Sequence, residues 1–172
     1  MTMTYRKLEA ADSKQYRAIR LESLKAHPES FGSGYEAQSK LPKLKFERVL
    51  EDPDDDGFLI GAFDQVQLVA ICGFLPFIPG EEYDLEHTGV LIQVYVRAAY
   101  NGRKIGLNLV NATLAEAFKL PQIDQVLLEV KEGNMSAIRV YEQAGFVTYH
   151  AVGQDGEVIN DGTRRMIINR ES

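Results

Sequence analysis

The sequence predicts a mixed α/β (α+β) fold in which one sheet carries helices on both faces. Three observations predict it. The hydrophobic periodicities run strand, helices, a run of strands, helix, strand, helix, strands. The segment 90–130 reads as strand–helix–strand, and its crossover is long enough to join two parallel strands. Asp64-Gln65 separates two apolar runs by so little that they must form an antiparallel hairpin.

The elements follow in order. Residues 4–9 form a short strand with Tyr5 and Leu8 as its apolar members. Asp12 or Ser13 caps a helix that runs to Ala26. His27-Pro28 ends it, because the residue before proline avoids the helical region. The polar, glycine-containing stretch 29–40 reads as a loop, and 42–51 as a second helix with Leu44, Val49 and Leu50. GFLIGAF at 57–63 and VQLVAICGFLPF at 66–77 are strands. After a polar loop at 79–84, HTGVLIQVYV at 87–96 is another. From Lys104 to Lys119, Leu107, Val110, Leu114, Ala117 and Phe118 recur at helical spacing. QVLLEVK at 125–131 is a strand, and 134–144 a helix with Gly145 at its C′ position. The tail 146–169 reads as a hairpin around Gln154-Asp155-Gly156.

With 172 residues, 45% hydrophobic and 26% charged, the chain suits one globular domain spanning 1–172. No apolar run approaches the ~20 residues of a membrane span. The N-terminus MTMTYRKLEA has no apolar stretch of the kind a signal peptide needs. Cys72 is the only cysteine, so no internal disulfide can form; it sits in an apolar run as a core residue. A cytoplasmic setting is expected. The net charge of -6 and the lack of a basic stripe argue against nucleic acid as a partner.

Two segments carry chemistry. VYVRAAYNGRKIGLNLV spans 94–110 and passes from strand through turn to helix. Backbone N–H groups of such a turn converge on one point, the helix N-terminus adds partial positive charge, and Arg103 and Lys104 add formal charge. The turn is thus a candidate anion site, or an ordinary strand-to-helix turn with solvated basic residues. Neither GxxxxGK[ST] nor GxGxxG occurs in it, so it is not a standard nucleotide loop. LLEVKEGNMSAIRVYEQAGF spans 127–146. Asn134 takes the N-cap position, and Tyr141, two turns later, shares its face of the helix. Glu129 ends the strand and points away from Leu128 and Val130. An amide, a phenol and a carboxylate therefore approach one cleft.

Together the two segments resemble the GCN5-related N-acetyltransferase (GNAT) superfamily. LEVKEGNMSAIRVYEQAGF is very similar to that family's strand–Asn–helix–Tyr–Gly-Phe block. The turn matches less closely: the family's Arg/Gln, two residues, Gly, one residue, Gly/Ala is here Asn101, Lys104 and Gly106, and Ala98 replaces a common proline. The resemblance implies a mostly antiparallel sheet of about seven strands with a splayed central parallel pair, at 90–96 and 125–131. It implies acetyl-CoA in the gap, with backbone groups of Val94, Tyr95 and Val96 on the pantetheine and thioester. The turn residues Asn101, Gly102, Arg103, Lys104, Ile105 and Gly106 would hold the pyrophosphate. Asn134 would bind the cofactor arm, and Tyr141 would stand near the sulfur as general acid.

The implied activity is acetyl transfer to a primary amine, either of a small molecule or of a protein N-terminus or lysine. Glu129 is the first candidate for the base, since ribosomal-protein alanine acetyltransferases use a glutamate five residues before the Asn. Glu86 and His87 are the second candidates. A non-catalytic acyl-CoA-binding module is the alternative, although Tyr141 and Glu129 favour an enzyme. Family members often pair through their C-terminal strands, so a homodimer is expected as a possibility. The acidic loop Glu81, Glu82, Asp84 and Glu86 could attract a cationic amine or simply be solvated. Asp52, Asp54, Asp56 and Gly57 begin a calcium-loop pattern, but Phe63 stands where the closing glutamate belongs; no metal is expected.

Overall fold

The computed structural model describes residues 2–27, 34–77 and 87–171. Strands β1 (Met3–Lys7), β2 (Phe58–Asp64), β3 (Gln67–Leu75), β4 (Thr88–Val96), β5 (Gln125–Lys131), β6 (Val147–Tyr149) and β7 (Thr163–Asn169) form one sheet. Its order is β1-β2-β3-β4-β5-β7-β6. Only β4 and β5 run parallel. The other neighbours are antiparallel. Helices are α1 (Ser13–Ala26), α2 (Tyr35–Ser39), α3 (Lys45–Glu51), α4 (Ile105–Ala117) and α5 (Met135–Ala144). No helix among the described residues is long and apolar enough to cross a membrane.

Each face of the sheet has its own core. On one face Leu109, Val110, Leu114, Ile138, Tyr141 and Phe146, from α4, α5 and the turn after α5, pack on Ala70, Cys72, Val126, Leu128 and Val130. On the other, Tyr16 and Ile19 of α1 and Phe46 of α3 pack on Leu59, Leu68, Ile71 and Tyr95. This two-sided burial explains why β2 and β3 read as continuous apolar runs rather than alternating ones.

Several elements differ from the sequence-based expectation. Within the stretch read as loop, Tyr35–Ser39 is a short helix; residues 28–33 lie outside the described set. The second predicted helix starts at Lys45 rather than 42, because the Glu47 carboxylate turns back onto the Leu44 N–H and caps it. The C-terminal hairpin is interrupted: β6 and β7 pair directly, while the Gln154–Gly156 turn sits on an arm closed by a single bridge, Val152↔Val158. Gly145 ends α5 as expected, at φ +109°, and the Phe146 N–H reaches the Tyr141 carbonyl at 3.0 Å.

β4 departs most from the expected alternation. Ile71 pairs with Tyr95 and Gly73 with Ile92, so Cys72 stands opposite both Gln93 and Val94. That is a β-bulge, and Gln93 adopts φ +57° within it. The extra residue reverses the facing pattern. Val90 and Ile92 lie on the α1 face, and so does Tyr95 rather than Val94. Leu91, Val94 and Val96 lie on the α4 face.

Cys72 is fully buried at the bulge, and burial pushes its thiol up to about 12. At pH 8 only about one thiol in 10⁴ is then ionised. A thiol-alkylating reagent should therefore label the native protein at least ~10³-fold more slowly than the denatured protein. Equal labelling rates would show that β3 is not covered on this face.

Candidate active site

The parallel ladder between β4 and β5 is short. Its pairs are Thr88↔Gln125, Gly89↔Val126 and Val90↔Leu127, and there it stops. Beyond Val90, β4 stays with β3 as far as Val96, while β5 pairs with β7 along its whole length. The strands thus diverge toward their C-terminal ends. The cleft-side N–H and C=O groups of the rest of β4 have no strand partner. A cavity of about 1330 Å³ occupies the gap.

Most of the residues expected at the site line this cavity. From β4 and the following turn come Val94, Tyr95, Val96, Asn101, Gly102, Lys104, Ile105 and Gly106. From β5 and α5 come Glu129, Asn134 and Tyr141. Arg103 is not among the lining residues; its guanidinium lies over the Tyr100 ring, 5.2 Å from the centroid. His87 is also elsewhere. It precedes the paired end of β4, and its Nδ1 lies 2.8 Å from the Gln122 carbonyl. It is therefore at the closed end of the strand pair, away from the splay. Glu86 and the acidic loop lie outside the described residues.

The turn presents donors from Gly102 onward. The Asn101 N–H is already used by the Ala98 carbonyl, at 3.2 Å. The helical ladder of α4 begins with Asn108 N–H to Lys104 C=O, 3.1 Å. The N–H groups of Ile105, Gly106 and Leu107 thus have no partner within the helix. Gly102 has φ +79° and Lys104 φ +60°. Lys104, standing where the related pattern has glycine, thus keeps the left-handed backbone at a steric cost. A Cβ on Gly106 would meet no protein atom nearer than 3.8 Å. Its absence therefore widens the cavity rather than relieving a clash within the protein.

Asn134 caps α5: its Oδ1 accepts from the Ala137 N–H at 3.3 Å and from the Ser136 hydroxyl at 3.2 Å. Its side-chain N–H groups remain the donors it can offer the cavity. Tyr141 is 7% exposed, and its ring packs edge-on against Phe146. Burial, and secondarily the neighbouring Cys72, hold its hydroxyl well above the ordinary range, so it stays protonated. Glu129 lies on the opposite face of the sheet from Tyr141. Its side chain is 59% exposed, with Arg165 Nε of β7 3.5 Å from its carboxylate.

Tyr95 turns its side chain away from the gap toward α1, where its hydroxyl donates to Glu22 at 2.9 Å. Glu22 also pairs with Arg97 at 3.3 Å, so one carboxylate clamps both flanks of Val96.

Lining residues that the sequence did not single out individually include Arg20, His27, Lys45 and Gln93. Two of these had a legible signal. Arg20 falls on the face of α1 that also carries Tyr16, Ile19 and Leu24, and Gln93 interrupts an otherwise apolar stretch of strand. His27 and Lys45 carry no local pattern.

The model of the Acetyltransferase (GNAT) family matches residues 16–146. Among curated protein sequences none matches this chain. Solved structures share the fold at low identity. An acetyltransferase of the GNAT family from Streptococcus pneumoniae superposes with a TM-score of 0.76 at 18% identity, covering 98% of this chain and 100% of that one. The PaiA N-acetyltransferase from Thermoplasma acidophilum, in complex with coenzyme A, gives 0.74 at 19%, covering 99% and 100%. A ribosomal-protein-alanine N-acetyltransferase from Brucella melitensis gives 0.70 at 20%, covering 97% and 99%.

The left-handed Lys104 backbone carries a measurable consequence. Lys104→Gly should raise stability by about 0.5–1 kcal/mol, the relief of strain less the entropy gained by the unfolded chain. Thermal melting should rise by roughly 1–4 °C. A lower melting temperature would mean that the lysine side chain contributes contacts outweighing the strain.

Proposed function

The chain belongs to the acetyltransferase (GNAT) family, and from that premise we propose that it transfers the acetyl group of acetyl-CoA to a primary amine. The observation that carries this reading is the splay itself. A parallel pair that stops at Val90↔Leu127 leaves an extended, partly apolar cleft with an unused backbone edge along it.

The residues present fit the ligand. The N–H groups from Gly102 to Leu107, at the N-terminus of α4, suit a pyrophosphate. Lys104 adds a charge there, and Gly106 leaves room. The β4 edge at Val94–Val96 can pair with an amide-bearing arm as a strand would, and Asn134 faces it from α5. When bound, acetyl-CoA supplies an activated thioester: the amine nitrogen bonds to its carbonyl carbon, the C–S bond breaks, and sulfur leaves with the bonding pair.

Three tasks then fall to the protein. A backbone N–H near Val96 would donate to the carbonyl oxygen as charge develops there; such a fixed donor is worth about 2.7–4 kcal/mol. The Glu22 carboxylate, gripping Tyr95 and Arg97, supports that geometry by holding the strand still. Tyr141 keeps its proton and would donate a hydrogen bond to the departing sulfur. A raised pKa makes it a weak acid, so its contribution lies at the low end for general acids. Glu129 would accept the amine proton through water, its carboxylate being solvated rather than enclosed.

Calorimetry with acetyl-CoA, followed by release of free CoA over an amine panel, tests the function. Tight binding with no release for any amine would favour the acyl-CoA-binding alternative. Tyr141→Phe should slow turnover by about 10-fold to 10²-fold with acetyl-CoA affinity kept. Unchanged turnover at every pH would remove Tyr141 from the chemistry. Glu129→Gln should cost about 10²-fold in kcat/KM at neutral pH. The deficit should shrink as pH rises, because free amine then becomes abundant without a base. A deficit independent of pH would reassign Glu129 to binding.

A further inference from the structure

Among the described residues other than glycine, Gln65, His87, Gln93 and Lys104 take a left-handed backbone. Gln65, His87 and Lys104 stand at turns or just outside an element, whereas Gln93 lies inside a strand. That conformation is costly for any residue with a Cβ, so something must hold it. A glycine would take it freely, yet the chain places a long amide there. The bulge follows shortly after the last β4–β5 pair, Val90↔Leu127, and directly precedes the open edge at Val94–Val96. Across from it, Gly73 lets β4 approach closely: a Cβ there would stand 3.0 Å from the Phe46 ring and 3.1 Å from the Ile92 carbonyl oxygen.

The Gln93 side chain has a defined partner. The Tyr16 hydroxyl donates to its Oε1 at 2.7 Å. Tyr16 is 1% exposed and lies edge-on to Phe46, the ring that covers Gly73. Burial holds its phenol protonated well above the ordinary range, so it stays a donor. A buried phenol needs an acceptor, and the bulge residue supplies it. α1 is docked independently of this contact. Gln15 takes the Leu68 N–H at 2.9 Å and gives to the Val66 carbonyl at 3.2 Å, and Glu47 of α3 receives Ser13 and Arg17. The Tyr16–Gln93 bond therefore acts on the strand rather than on the helix.

Building on the acetyl-transfer reading, we propose that Gln93 is a positioning residue for the transfer. Tyr16 grips its side chain, the grip locks the bulge, and the locked bulge fixes where the cleft-side N–H groups of Val94–Val96 stand against the thioester carbonyl. A hydrogen bond weakens steeply with misalignment, so a donor edge free to slide loses most of its effect. Glycine at this position would relieve the backbone but leave the edge unfastened, because it carries no group for Tyr16. A bulge without a tie can shift along its strand by one residue, which exchanges the faces of Val94 and Tyr95.

Infrared difference spectra of acetyl-CoA, isotope-labelled at its acetyl carbonyl, read that alignment without any acceptor. Binding to the unaltered protein should move the carbonyl stretch to lower frequency, as a fixed donor polarises it. In Tyr16→Phe and in Gln93→Gly most of that shift should be lost. Calorimetry should show acetyl-CoA affinity kept within about 5-fold in both, because the turn before α4 still holds the cofactor. Gln93→Glu retains an oxygen for the Tyr16 hydroxyl and should keep most of the shift. The double variant Tyr16→Phe/Gln93→Gly should lose no more than the worse single one, since both break one contact. Melting temperatures should stay within roughly 6 °C of the native value, the scale of one lost hydrogen bond. With an amine that the unaltered protein acetylates, kcat should fall by about 10-fold or more in the two single variants, with KM for the amine little changed. Heat with acetyl-CoA but no shift in the unaltered protein would overturn the inference while leaving acetyl transfer standing. So would a full shift or native kcat in Tyr16→Phe, additive losses in the double variant, or a Gln93→Glu spectrum like that of Gln93→Gly. A shift lost only together with a larger drop in melting temperature would make the contact a fold anchor and overturn it too. No heat with acetyl-CoA would instead remove the reading on which the inference rests.

Discussion

The site depends on the failure of two neighbouring strands to stay together. β4 and β5 share only three pairs, Thr88 to Val90 against Gln125 to Leu127. Each strand is then held by its other neighbour, β3 or β7, and the two are drawn apart. Exposing an unpaired backbone edge within a sheet costs free energy unless something else fills it. The bulge at Gln93 makes the divergence possible, since an extra residue bends and twists the strand that carries it.

That bulge also distributes chemistry between the two faces. Without it, alternation along β4 would put Val94 on the α1 side and Tyr95 into the α4 core. With it, Tyr95 reaches Glu22, Gln93 reaches Tyr16, and α1 is fastened to the edge of the cleft at two points. The opposite face keeps Cys72, Tyr141 and Phe146 in an apolar core. The α5 side of the gap therefore holds a buried, protonated phenol. Among the described residues, the α1 side is lined by Arg20, Lys45 and Gln93, and the face of β5 opposite Tyr141 carries Glu129. A direct transfer between two substrates needs such an asymmetry, because thiolate and amine make opposite demands on protons.

The turn before α4 shows how much backbone geometry can survive a change of side chain. Lys104 adopts the left-handed conformation that glycine would take without strain. What the turn presents is a set of main-chain N–H groups, and these are indifferent to the side chain. Arg103, the neighbouring cation, is instead occupied with Tyr100.

The sequence by itself determined the order of elements, the capping of α5 by Asn134 and Gly145, and the side-by-side placement of segments 94–110 and 127–146. Those features rest on local periodicity, on turn chemistry and on spacing within one helix, all of which are written along the chain. It did not determine that His87 would lie at the closed end of the strand pair. Nor did it reveal that Tyr16, 77 residues before Gln93, would donate to it from α1. Such facts turn on register and on long-range docking of α1 against the sheet. A single extra residue in β4 inverts every facing downstream of it, and no local pattern announces that inversion.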